Sequence, residues 1–128
     1  AYPDRVHKLL LIFPAFVLFD DAKETYRELG SPDFDQLPDS LTHHNATLGK
    51  IYLIDALDID IQAEQTKITA PTLIIHGTDD AVVPYQYAVQ ASQTIPNAKL
   101  VTVEGGEHRI DERFAITAAP AIQKFLKE

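Results

Sequence analysis

Two short stretches hold residue types that could do chemistry. The first, "PTLIIHGTDDAVVP", runs an apolar segment into His76 and Gly77, then two adjacent aspartates, Asp79 and Asp80, and then Pro84. The second, "KLVTVEGGEHRI", runs another apolar segment into Gly105, Gly106 and His108. A histidine titrates near neutrality and can take and return a proton during a reaction. A buried carboxylate bonded to its Nδ1–H fixes the tautomer and stabilises the imidazolium that forms. One of the two aspartates with His108 therefore has the composition of an acid–base pair.

For these groups to meet, the segments ahead of them must lie side by side. Three runs read as buried strands: Lys8–Phe13, Thr72–His76 and Lys99–Val103. The first two are nearly continuous apolar runs, as strands covered on both faces require, and the third alternates somewhat. After Pro84, apolar residues recur at Tyr85, Ala88, Val89 and Ile95, the spacing of one buried helix face. A last helix is predicted through Phe114, Ala118, Ile122, Phe125 and Leu126, with Asp111 as its cap and Pro120 kinking it or starting a second helix. Strand and helix in alternation predict a parallel sheet with right-handed crossovers. Catalytic groups collect at the carboxyl ends of such strands. Asp79, Asp80 and His108 are thus expected on one rim, on neighbouring strands. Gly105 and Gly106 would let the chain turn sharply off the third strand, and Pro84 suits the first turn of the helix after the acid loop.

The span 14–70, between the first two strands, is too long for a simple connection. It holds two predicted helices, Asp20–Leu29 and Leu48–Leu57, around the loop "GSPDFDQLPDS". It is expected to form a cap over one end of the sheet, within a single domain spanning 1–128.

Gly77-Thr78-Asp79-Asp80-Ala81-Val82-Val83-Pro84, a G-x-x-D-x-x-V-P pattern, resembles the acid loop of α/β-hydrolases. "GGEH", ending in His108, resembles their histidine loop, and acid before histidine is their order. "YPDRVHKLLLIFPAF" is similar to the strand that follows the nucleophile helix, and the whole chain looks most like small bacterial esterases that cleave cinnamoyl and feruloyl esters. The resemblance implies a partial α/β-hydrolase fold, with a three-stranded parallel sheet flanked by helices and a helical cap insertion. It implies Asp80 as the acid, His108 as the base and Asp79 as a turn former. It implies Asp20, Asp21 and Tyr52 as candidates for binding the substrate's ring hydroxyl. The plainer reading makes the two aspartates helix-capping carboxylates and Tyr52 a core residue. Phe13, Phe16 and Phe19 read as packing rather than as an aromatic subsite.

The family's G-x-S-x-G elbow and oxyanion hole have no match here. Ser31, Ser40 and Ser92 do not lie between glycines. The chain is therefore expected to be the carboxyl-terminal half of a serine carboxylesterase, inactive alone. The rival is a non-catalytic binding or self-associating module with a vestigial Asp–His pair. Peptide, thioester and acylglycerol substrates are the alternatives within the fold. In either case the first strand would leave an open sheet edge, so a homo-oligomer is expected.

Bulk properties narrow the partners. The 128 residues carry a net charge of −8, which argues against nucleic acid and against an anionic membrane surface. "LLLIFPAFVLF" is too short to span a bilayer and is broken by Pro14. With 0 cysteines there is no disulfide framework, thiolate nucleophile or zinc–thiolate site, and the usage leans toward a cytoplasmic location. His43, His44 and Asn45 lack a spaced third ligand for a metal, and the glycines do not open a helix as a nucleotide cradle requires. No cofactor is expected. His76, at its strand end, is read as packing and bonding locally.

Overall fold

A computed structural model describes residues 5–43 and 46–128. The elements run β1 (Leu9–Ile12), α1 (Leu18–Glu28), a 3-10 turn (Phe34–Gln36), β2 (Ser40–His43), β3 (Ala46–Gly49), α2 (Lys50–Asp58), α3 (Ile61–Thr66), β4 (Thr72–Gly77), α4 (Tyr85–Thr94), β5 (Ala98–Val103) and α5 (Glu112–Lys127). They form two compact units. One comprises the chain up to Phe16 together with Gln62–Glu128, and the other is Val17–Ile61, which falls inside the insertion read from the sequence.

The larger unit is a parallel sheet in the order β1-β4-β5. β4 is central, and every one of its residues is buried. Its side chains alternate between two cores, as the two-residue period of a strand dictates. Leu73 and Ile75 join Val103 and the Phe114, Ala118 and Phe125 face of α5. Ile74 joins Ala88 and Ala91 of α4 and Ile95 just beyond it. The sheet is thus covered by α5 on one face and α4 on the other, which explains the unbroken apolar run of β4. Parallel pairing sets Ile75 against both Ile12 and Val101, so the carboxyl ends of β4 and β5 finish level, Gly77 beside Val103.

Asp111 caps α5, its side chain accepting from the Phe114 N–H at 2.9 Å. The helix then runs unbroken through Pro120 and no second helix starts there, contrary to one expectation from the sequence. Pro120 lies on the water-facing side with Ile116, which is 68% exposed, so the hydrogen bond lost between them can be replaced by solvent.

The smaller unit packs α1 and α2 around Ala22, Leu37, Leu53 and Ala56. It also contains the antiparallel hairpin β2–β3, with Leu41 opposite Leu48, which sequence reading missed. The predicted helix Leu48–Leu57 accordingly starts at Lys50, because Leu48 and Gly49 belong to β3. Of "HHN", His44 and Asn45 lie outside the described residues, as does the His43 side chain. Among the described residues, no helix is long and apolar enough to cross a membrane.

Candidate functional site

The site begins with two loops laced together. Beyond β4, the Thr78 N–H bonds the Val103 carbonyl at 3.1 Å and the Asp79 N–H bonds the Gly106 carbonyl at 2.9 Å. In return, the Gly105 N–H bonds Thr78 Oγ1 at 2.8 Å. This lacing needs glycine at two positions. A Cβ on Gly77 would overlap the Gly106 carbonyl, and Gly105 turns at φ 64, in the left-handed region that glycine enters without penalty.

The lacing brings Asp80 to His108. His108 Nδ1 lies 2.8 Å from Asp80 Oδ2. Asp80's side chain is fully buried, whereas that of His108 is 35% exposed. Asp80 Oδ1 accepts from the N–H groups of Val82 at 2.9 Å and Val83 at 2.7 Å. Burial alone would raise the Asp80 carboxyl. The Val83 N–H, the His108 ring and the Val82 N–H outweigh it, and the net result lies below the ordinary carboxylate value. The acid therefore stays ionised, with both oxygens engaged. Carboxylate oxygens only accept, so His108 carries its hydrogen on Nδ1 and presents Nε2 as the proton acceptor. A buried carboxylate behind a half-exposed imidazole can orient a general base toward a group that approaches from outside.

Asp79 takes no part in this contact. It is exposed, and its Oδ1 accepts from the neighbouring Thr78 hydroxyl at 3.1 Å. Ser92 lies in α4 with its hydroxyl spent on the Val89 carbonyl at 2.7 Å. Among the described residues, no group of three or more His, Asp or Glu side chains could hold a metal ion.

The remaining candidates lie in the smaller unit. Asp21 and Tyr52 line one mostly apolar pocket with Leu18, Leu41, Leu48 and Leu53. Asp20 is not among its lining residues and pairs with Lys23 at 3.4 Å. Tyr52 is 41% exposed, so it is not the core tyrosine of the plainer reading, and the N-cap position of α1 is Val17 rather than either aspartate. Both stand in the first turn, where their charge suits the helix dipole.

Sequence reading missed the surroundings of the pair. Phe13 sits at φ 47, a strained setting for a non-glycine residue. Its ring lies 5.1 Å from that of His108, 5.8 Å from that of His76 and 4.9 Å from that of Phe114. The only sequence signal was its place at the carboxyl end of the first strand, on the rim where the two loops also end.

Comparison with known proteins adds an independent observation. A family model described as TAP-like protein matches residues 57–128. RutD of Stutzerimonas stutzeri, provisionally named a carbamate hydrolase, is 39% identical over 70 residues, which make up 54% of this chain and 26% of RutD. The AB hydrolase superfamily protein YisY of Bacillus subtilis is 30% identical over 92 residues, 71% of this chain and 34% of YisY. Among solved structures, Est1E from Butyrivibrio proteoclasticus matches with a TM-score of 0.80 and 30% identity, covering 98% of this chain and 54% of Est1E. Est1E has also been solved with ferulic acid bound. The chain thus spans about half the length of Est1E and a smaller share of RutD and YisY.

Proposed function

The chain belongs to the α/β-hydrolase superfamily, and from that premise we propose that it is the acid-and-histidine part of a serine carboxylesterase acting on small aromatic acyl esters. The observation that carries the reading is the 2.8 Å contact between His108 Nδ1 and a buried, doubly held Asp80. In this mechanism a serine from outside residues 1–128 attacks the ester carbonyl. His108 Nε2 takes the serine proton and passes it to the leaving alcohol. In the second half it takes a proton from water, which attacks the acyl-enzyme, and returns that proton to the serine. Asp80 holds the ring and stabilises its charged form. Backbone N–H groups outside this chain stabilise the oxyanion.

The aromatic acyl class is supported by the ferulic acid bound to Est1E, which is 30% identical to this chain. The match to RutD favours a second reading, a hydrolase of carbamates on the same Asp–His pair. The test is a substrate panel of methyl ferulate, a short acylglycerol, an acyl thioester, a peptide ester and an alkyl carbamate. It should be run on the protein expressed with whatever coding sequence precedes Ala1. Preference for methyl ferulate is expected, and preference for the carbamate would favour the second reading. No turnover of any member, with the chain folded, would favour a non-catalytic module.

A further inference from the structure

Asp80 has a second histidine at its back. His76, in β4, is fully buried, and its Nε2 lies 2.9 Å from the Val83 carbonyl and 3.1 Å from Asp80 Oδ2. That oxygen is the one bonded to His108 Nδ1. A carbonyl and a carboxylate can only accept, so His76 must carry a hydrogen on Nε2. It donates to the Val83 carbonyl, and the same N–H edge faces Oδ2. The other nitrogen, Nδ1, is buried without a hydrogen-bond partner among the described residues. A hydrogen there would be an unsatisfied buried donor, so the ring is held as the neutral Nε2–H tautomer.

The ring is also fixed in orientation. Phe13 meets it edge-on at 5.8 Å, and Tyr85 meets it at 6.1 Å. Tyr85 is itself tied to Thr102 Oγ1 at 2.6 Å. Val83 is consequently gripped from two sides, its N–H by Asp80 and its carbonyl by His76. The acid loop closes on itself through these two bonds.

We infer that His76 is a positioning residue: as a neutral Nε2–H ring it clamps the acid loop through Val83 and sets where Asp80 Oδ2 meets His108. The consequence for catalysis rests on the proposed hydrolase reading, but the clamp can be tested without turnover. The probe is long-range proton–nitrogen NMR of the histidine rings in the 128-residue chain. His76 is expected to be protonated at Nε2 alone, and His108 to show a downfield Nδ1–H proton. His76→Leu, which removes the donor, should speed exchange of that His108 proton by about tenfold or more. His76→Gln, whose amide N–H can reach the place of Nε2, should hold the exchange near the wild-type rate. A His76 protonated at Nδ1, or a His76→Leu chain with unchanged His108 exchange, overturns the inference. If His76→Leu does not fold, His76→Gln decides: exchange accelerated despite the restored donor overturns the inference. A wild-type chain with no His108 Nδ1–H proton would instead overturn the pair itself, and with it the proposed function.

Discussion

At the scale of single residues, the two aspartates separate cleanly. Asp80 is buried and bonded through both oxygens, while Asp79 is exposed and its carboxylate accepts from a neighbouring hydroxyl. Asp80→Asn would place an amide donor where an acceptor is needed and leave His108 in the wrong tautomer, so kcat of the full-length protein should fall about 10³–10⁴-fold. Asp79→Asn should cost less than about tenfold, since it removes no contact to His108. Steady-state hydrolysis of methyl ferulate checks both, and the reverse order would move the acid to Asp79. Acid stability follows from the same carboxylate. The folded-state value of Asp80 is lowered, so its contribution is fully present above the unfolded value, about 3.9, and is lost as pH falls through the folded one. Urea midpoints of the wild type should therefore decline below about pH 4, and Asp80→Asn should flatten that decline. An equally steep decline in the variant would show that Asp80 is not the group responsible. That a loop aspartate and His108 would lie on one rim was legible in the sequence, because each follows an apolar strand and a glycine turn, whereas the choice of Asp80 over Asp79 came from the resemblance to α/β-hydrolases. His76 was legible only as a local packer, since nothing in a linear sequence shows that a strand residue and a loop carboxylate share one oxygen.

At the scale of elements, the positioning depends on two loops held at contact distance. Gly77→Ala would press a methyl group into the Gly106 carbonyl and separate the loops. A loss of about 1–3 kcal/mol in urea unfolding is expected, together with faster exchange of the His108 Nδ1–H. A variant as stable as the wild type would show that the lacing is not needed. The parallel sheet and its flanking helices could be read from the sequence because β4 is buried on both faces and α5 has one apolar stripe. The hairpin β2–β3 could not be read with the same ease. Its strands have only four residues each, and β3 is largely exposed, so the alternation that marks a half-buried strand is faint. The chain "SLTHHNATLG" does hold two short β-compatible runs joined through an asparagine, a hairpin signal outweighed by the helical pattern that follows. Of the two effects expected of Pro120, the start of a second helix does not occur, since a proline on the wet face of a helix is tolerated far better than one in its packed face.

At the scale of the whole molecule, β1 pairs with β4 alone among the described residues, and its side chains are only partly buried. A strand of Leu9-Leu10-Leu11-Ile12 with one free edge is a template for pairing with another chain. The 128-residue chain should therefore self-associate in sedimentation experiments at micromolar concentration. A monodisperse monomer at high concentration would contradict that expectation. The most direct test of the central claim is the rate of ester hydrolysis in the protein expressed with the coding sequence that precedes Ala1, comparing wild type with His108→Ala. If His108 is the general base, turnover should fall at least as far as in Asp80→Asn, by about 10⁴–10⁶-fold. The urea midpoint should fall only modestly, because a ring with 35% of its side chain exposed leaves little cavity behind and water can take its place on Asp80 Oδ2. Activity within a few-fold of wild type would contradict the assignment of His108 and, with it, the reading of the Asp80–His108 pair as catalytic.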